Sequence, residues 1–142
     1  MALPNEKFEE IKSKIQNFVD REMVAHEDDF NINHKFADHL PFLEEKRNIA
    51  REMGLFAPQI SKENGGLGLS LHQLGQIYEI LGKTFYGLYV FNCQAPDAGN
   101  MEILIEHGTE YQKETFLKPL VEGKVRSCFS MTEPEFAGST PV

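Results

Sequence analysis

Hydrophobic residues recur at helical spacing from Phe8 to Leu120, and after Gly123 that spacing gives way to a short apolar run with a turn behind it. Phe8, Ile11, Ile15, Phe18 and Val19 share one face of a 3.6-residue repeat, while Glu9, Lys12, Lys14, Gln16 and Asp20 fall elsewhere, so a first amphipathic helix is expected. The pattern fades at His26-Glu27-Asp28-Asp29. A second helix is expected to begin near Pro41, whose fixed φ suits a first turn, and to stop at Gly54, using Leu43, Ile49, Ala50 and Met53. Ser70 with Gln73 forms a capping box ahead of a third face of Leu71, Leu74, Ile77, Tyr78 and Leu81, which Gly82 can close. The apolar stretch from Phe85 to Phe91 fits a strand or a buried helix, although Pro96 disfavours a central strand. Met101, Leu104 and Ile105 resume helical spacing up to Gly108. Thr109 with Gln112 is a second capping box, opening a short helix of Tyr111, Phe116 and Leu117 that Pro119 interrupts or kinks. Val125, Cys128, Phe129, Ser130 and Met131 read as one β-strand. A lone strand leaves backbone donors and acceptors unmet, so the chain is read as a fragment or as one that takes its missing sheet from elsewhere.

Composition narrows the functional classes. A chain of 142 residues is long enough for about one domain with a real core, and 41% hydrophobic against 25% charged residues is the balance of a globular protein. Fourteen Lys and Arg against 22 Asp and Glu give a net charge of −8, which argues against binding driven by phosphate neutralisation, whether to nucleic acid or to an anionic membrane surface. No run approaches the roughly 20 apolar residues of a membrane span. The N-terminus Met1-Ala2-Leu3-Pro4-Asn5-Glu6 lacks the basic and apolar regions of a secretory signal and is too acidic for a typical transit peptide. A bacterial cytoplasmic location fits, with a mitochondrial or peroxisomal parent left open. Cys93 and Cys128 cannot make a disulfide framework and form no metal-type pair.

Most chemistry-bearing residue types here have a plain structural reading. Asn64-Gly65-Gly66-Leu67-Gly68-Leu69-Ser70 looks like a phosphate loop, but it lacks the Gly-Lys-Ser/Thr ending and no strand precedes it. A tight turn into a capped helix is the better reading. None of His26, His34, His39, His72 and His107 has the spacing of a helical zinc pair, so solvated or capping roles are expected of them. Glu44-Glu45-Lys46-Arg47 reads as an exposed helix face. Ser130 and Ser139 lack a nucleophile-elbow pattern. The informative stretch runs from Ser130 to Ser139: a strand end, a threonine, a proline-stiffened turn and a glycine. Such a turn can offer N–H groups and hydroxyls to a flat polar ligand, or be an ordinary strand-to-loop turn.

Thr132-Glu133-Pro134 with Gly138-Ser139 resembles the flavin-contacting signature of the acyl-CoA dehydrogenase family. The order of Gly54-Leu55-Phe56-Ala57-Pro58, Gly65-Gly66-Leu67-Gly68-Leu69-Ser70, Gly108-Thr109-Glu110-Tyr111-Gln112-Lys113, Leu117-Lys118-Pro119-Leu120 and Gly123 agrees with it. Val90-Phe91-Asn92-Cys93-Gln94-Ala95-Pro96-Asp97 and Gly99-Asn100-Met101-Glu102 are similar to the branch that in animals is fused to a phosphotransferase-like domain. The similarity covers nearly the whole chain and is loosest before residue 50.

The resemblance implies a mainly α fold: residues 1–124 as the N-terminal helical domain, and 125–142 as the first strand and flavin-contacting turn of a middle β-domain that is otherwise absent. It implies an FAD-dependent α,β-dehydrogenation of an acyl-CoA thioester in fatty acid oxidation, a protein electron acceptor, and a homo-oligomer, dimer or tetramer, when complete. The cofactor would meet Phe129, Ser130, Met131, Thr132, Gly138 and Ser139, with Thr132 donating to the flavin edge. The substrate would meet Ser139 through its CoA part, and Phe91, Asn92, Ala95 and Gly99 along its acyl chain. The small Ala95 and Gly99 imply a cavity for long or bulky acyl groups. No catalytic residue is expected in this chain, because the family's base belongs to the C-terminal domain and Glu133 is read as structural. The isolated chain is therefore expected to be inactive. Thr140 departs from the commoner Asp or Asn, and the loop from Pro134 to Gly138 is one residue longer than in the medium-chain type. Two other readings stand beside this one: a non-catalytic helical interaction module, and an acyl-CoA oxidase or flavin monooxygenase of the same fold.

Overall fold

A computed structural model describes residues 3–30 and 35–132. The first amphipathic face forms α1 (Asn5–Phe18), which buries Phe8, Ile15 and Phe18. The helical path continues through a π-turn at Val19–Met23 and a 3₁₀ segment at Val24–Asp29. Side chains as large as Phe8 and Ile15 each contribute roughly 2–3 kcal/mol when removed from water, so this face alone commits α1 to the core.

The second helix, α2, spans Phe36–Glu52, and Pro41 lies inside it rather than at its start. The Asp38 carboxylate accepts from the Lys35 N–H at 2.9 Å, a start signal without the Ser or Thr found at Ser70 and Thr109. The helix then forgoes the one bond that a Pro41 N–H would have made. It ends as expected at Gly54, with φ +68°. The Leu55 N–H returns to the Ala50 carbonyl at 3.0 Å and the Gly54 N–H to Arg51 at 2.9 Å, the paired bonds of a Schellman motif.

Ser70 and Gln73 exchange both bonds of their capping box at the head of α3 (Leu71–Leu81). The buried face is rotated from the expected one. Leu71 is 87% exposed, while Gln73, Ile77, Ile80 and Leu81 point inward. Gln73 is the reason: its Nε2 donates to the Leu3 carbonyl at 2.9 Å, so a polar side chain joins the helix to the segment ahead of α1. Lys12 adds a 2.6 Å bond to Gln76 across the same α1–α3 contact.

The ambiguous apolar stretch is helical, as α4 (Gly87–Val90). A turn and a cis Ala95–Pro96 bond lead into α5 (Asp97–His107). Thr109 and Gln112 cap α6 (Glu110–Gln112), followed by a π-turn at Lys113–Leu117 and α7 (Lys118–Val121). Pro119 thus sits where the regular ladder has already been interrupted. Gly123, at φ +68°, closes α7 with a second Schellman pair, Gly123 to Leu120 at 3.0 Å and Lys124 to Pro119 at 2.9 Å.

α1 packs on α3, α2 and α3 on α4, and α5 on the π-turn and α7. One hydrophobic core joins them, from Leu3 to Val121. The expected strand at Val125–Met131 is not formed, and the segment to Thr132 is irregular. A strand exists through its bonds to a neighbour, and no described residue supplies one.

Candidate functional site

Two of the residues read from the sequence as an exposed face, Lys46 and Arg47, are buried. α2 turns them toward the body, where opposite charges and rings receive them. Lys46 donates to Glu22 at 2.8 Å and Glu45 at 3.0 Å, and its ammonium lies 4.9 Å from the Phe42 ring centre. Arg47 is 1% exposed. Its guanidinium carbon is 4.5 Å from the Tyr89 ring centre and 5.0 Å from that of Phe56. It donates to the Tyr89 carbonyl and reaches Asn92 Oδ1 at 3.4 Å. Glu44 Oε1 stands 3.3 Å from its Nε, an ion pair without hydrogen-bond alignment, and accepts from the Tyr89 hydroxyl at 2.8 Å. Burial pushes the guanidinium down from its ordinary pKa, against the pull of Tyr89 and Glu44. Burial, and then the bond to Glu44, push the Tyr89 hydroxyl up.

Asn92 completes this interior region. It sits in the left-handed region at φ +57° and donates through Nδ2 to Leu120 at 3.0 Å and Val121 at 3.1 Å. Those carbonyls belong to the last turn of α7: Leu120 already accepts from the Gly123 N–H, and Asn92 is the donor to Val121. Gly123 follows within the same space: a Cβ there would stand 2.7 Å from both Arg47 and Phe56.

A second polar region lies at the start of α5. Asp97 is 0% exposed and accepts four bonds. Its Oδ1 receives the Ser127 N–H at 2.7 Å and the Ser127 hydroxyl at 2.6 Å. Its Oδ2 receives Arg126 Nε at 2.8 Å and Gln94 Nε2 at 2.6 Å. Asn100 adds bonds to Ser127 Oγ at 2.8 Å and to the Cys128 carbonyl at 3.3 Å. Arg126 also lies 4.8 Å from the Tyr89 ring centre.

Beyond this region the described residues are exposed. Phe129 is 65% and Met131 53% accessible, and Ser130 and Thr132 are exposed as well. Beside the segment lies an apolar groove of about 370 Å³, lined by Ile103, Leu104, Phe116, Leu120, Val125 and Cys128 among others. A larger cleft of about 600 Å³ lies between the glycine loop, the end of α2 and the Glu110–Glu122 helices. The loop itself is no phosphate cradle. The N–H groups of Gly65, Gly66 and Gly68 are spent on the carbonyls of Lys62, Ser61 and Ile60.

The candidate site residues therefore fall into three environments. Phe129, Ser130, Met131 and Thr132 form one exposed run. Phe91 and Asn92 are fully buried, Phe91 with its ring edge-on to Phe18 and its carbonyl accepting from Ala57 at 2.9 Å. Ala95 and Gly99 are exposed, and nothing lies within 4 Å of a Cβ built on Gly99. Gly138 and Ser139, with Glu133 and Thr140, lie outside the described residues. His39 is buried against Phe30 and Tyr86 rather than solvated, whereas His107 is exposed at the end of α5. Among the described residues no cluster of His, Cys, Asp and Glu could hold a metal, and no helix is long and apolar enough to cross a membrane. Cys93 is buried, which pushes its thiol up and makes it unreactive. The sequence reading missed Arg47, Asp97, Asn100 and Ser127. Asp97, after a proline and before apolar residues, carries only the signal of a helix cap.

Comparison with known proteins places this geometry. Residues 5–124 match the profile described as "Acyl-CoA dehydrogenase, N-terminal domain". Mouse acyl-CoA dehydrogenase family member 10 is 36% identical over 134 residues, which is 89% of this chain and 12% of that protein. Chicken acyl-CoA dehydrogenase family member 11 is 48% identical over 102 residues, 70% of this chain and 12% of that one. A solved Mycobacterium abscessus structure, provisionally assigned as an acyl-CoA dehydrogenase, superimposes with a TM-score of 0.77 at 34% identity and covers 96% of this chain and 37% of its own. The chain thus spans about an eighth of those two relatives and just over a third of the solved neighbour.

Proposed function

The chain belongs to the acyl-CoA dehydrogenase family, and on that premise we propose that it is the N-terminal part of an FAD-dependent enzyme that introduces an α,β double bond into an acyl-CoA thioester. Residues 1–124 are its helical domain, and 125–142 enter a middle β-domain where their pairing partners lie. The observation that carries this reading is the exposed run Phe129–Thr132, which alternates apolar and hydroxyl side chains. No other described residue hydrogen-bonds its backbone. Such a run fits a flat ring with polar edges, because it combines apolar contact with free N–H and hydroxyl donors.

When bound, FAD supplies the acceptor for the β-hydride. The residues of this chain bind and orient. Thr132 donates from its hydroxyl and N–H to the ring edge, Met131 and Phe129 provide apolar contact, and Ser130, Gly138 and Ser139 continue the wall. Ser139 also meets the CoA part of the substrate. Ala95 and Gly99 leave room for a long or bulky acyl chain, with Phe91 and Asn92 as its buried support. The proton-abstracting carboxylate is supplied from outside this chain, so the chain alone is inactive. An acyl-CoA substrate, a protein electron acceptor and a further copy of the same enzyme are its partners, and fatty acid oxidation in the bacterial cytoplasm is its setting.

The intact mass and visible spectrum of the protein from its natural source test this. A mass well above 16.2 kDa with flavin bands is expected. A flavin-free protein of 16.2 kDa would instead make the exposed apolar side chains the face of a non-catalytic interaction module. Rapid reoxidation of the reduced flavin by oxygen would move the assignment to an oxidase or monooxygenase. A strict preference for short acyl chains would remove the cavity argument from Ala95 and Gly99.

A further inference from the structure

We infer that Asp97 positions the flavin-facing run, acting through Ser127 and Arg126; the inference rests on the flavin reading above. A carboxylate removed from water must have its lone pairs matched, and Asp97 has four donors. Three come from the adjacent residues Arg126 and Ser127. Arg126 is half-exposed and does not need Asp97 to solvate its charge. The arrangement instead fixes the chain at Ser127. The Ser127 N–H and hydroxyl both donate to Oδ1, and the same hydroxyl accepts from Asn100, one turn further along α5. Asn100 also donates to the next carbonyl, that of Cys128. Met101, fully buried beside Asn100, roots α5 in the core.

Five polar contacts therefore join α5 to Arg126–Cys128, and the described structure shows no further hydrogen bond along the run to Thr132. Ser127 is the last described residue whose position is set on both backbone and side chain. The direction in which Phe129–Thr132 leaves the helical body is set there. Asparagine would not serve at position 97, because its Nδ2 would face the donors of Gln94 or Arg126 or those of Ser127. Charge-assisted bonds to backbone N–H are also the stronger kind.

The test has two readouts, one without flavin. In the full 142-residue chain, amide exchange at Ser127 is measured for the wild type, Asp97→Asn, Asp97→Ala, Ser127→Ala and Ser127→Thr, with the Met101 amide as a control on folding. Loss of charged hydrogen bonds is expected to speed Ser127 exchange about 10- to 100-fold in Asp97→Ala. Ser127→Thr, which keeps the hydroxyl, should stay near the wild type. In the flavin-bearing enzyme, FAD affinity and the visible band positions are then compared. About tenfold weaker FAD binding and shifted bands are expected for Asp97→Asn and Ser127→Ala, with rescue in Ser127→Thr. Ser127→Ala removes one hydroxyl from a half-buried segment and keeps the test open if the Asp97 variants do not fold. Unchanged Ser127 exchange in a folded Asp97→Ala overturns the anchor. Faster exchange with unchanged FAD affinity and bands overturns the positioning role. A wild-type enzyme that takes up no FAD overturns the flavin reading itself, and is recognised without any variant.

Discussion

Two arginines, Arg47 and Arg126, each lie within 5 Å of the Tyr89 ring centre, and the two are used differently. Arg47 lies in a closed region with Asn92, Phe56 and the end of α7, where its terminal nitrogens and the Asn92 amide bond inward. Arg126 lies in an open region, where Asp97 and Asn100 tie down a segment whose continuation is exposed. Both regions capture backbone groups with side chains. In the closed one the captured carbonyls terminate a helix, so the bonds serve stability. In the open one the captured groups precede the proposed cofactor wall, so the bonds serve placement. Polar networks of similar size can thus carry different consequences, and the neighbourhood decides which.

The closed region should show the largest stability losses. Arg47→Ala strips the Tyr89 carbonyl and Asn92 of a donor and leaves a large void, so a loss of about 4 kcal/mol is expected in denaturant unfolding. Asn92→Ala should cost about 3 kcal/mol, because the Val121 carbonyl loses its donor, the Leu120 carbonyl keeps only the Gly123 N–H, and alanine tolerates φ +57° poorly. If Asn92→Ala changed acyl-chain preference in the complete enzyme while leaving stability intact, its place in the closed region would not be what matters.

The contrast was half-visible in the amino-acid sequence. Capping residues announce themselves locally, so Ser70–Gln73 and Thr109–Gln112 were legible, as was the stop at Gly54. The apolar faces of α1 and α5 were legible for the same reason. Lys46 and Arg47 were not, because a charged residue on a helix reads as solvated until its partners on other elements are known. Asn92 looked like a cavity residue in the resemblance, yet its partners are carbonyls 28 and 29 positions away. Asp97 likewise takes three of its four donors from residues 29 and 30 positions on. Pairings at that range leave no periodic trace. The strand at Val125–Met131 was read from local apolar content, whereas pairing is a property of two segments.

Lys46 sharpens the comparison as an intermediate case, with its head buried and its partner Glu22 partly exposed. Its hydrogen bond holds the Glu22 carboxyl below the ordinary value of 4.5, against a smaller opposing effect of burial. A depressed carboxylate contributes stability that is present above the unfolded pKa and is lost as pH falls through the folded one. Acidification from pH 6 to below pH 4 should therefore cost the wild type about 0.5–1 kcal/mol through this pair, after allowance for Glu22's exposure. Glu22→Gln should lose that share of the pH dependence when unfolding is followed across the same range. On Lys46, burial pulls the pKa down, and the bonds to Glu22 and Glu45 more than offset it, so the net shift is upward. That contribution is fully present below pH 10.5 and fades only as pH rises through the raised value.

The smallest stability effect belongs to the open region, and it is the most discriminating. Ser127→Ala removes a hydroxyl bonded to Asp97 and Asn100, yet its backbone N–H still reaches Asp97. The segment it holds contributes little to the core, since Phe129 and Met131 stay exposed. Global stability should fall by only about 0.5–1 kcal/mol, close to the net worth of one ordinary hydrogen bond. A loss of about 3 kcal/mol in chemical denaturation would place Ser127 in the same class as Asn92 and erase the distinction between the regions. A small loss, set beside fast amide exchange at the same residue, is what a placement device predicts: the energy needed to free the segment is local, and the helical body does not depend on it.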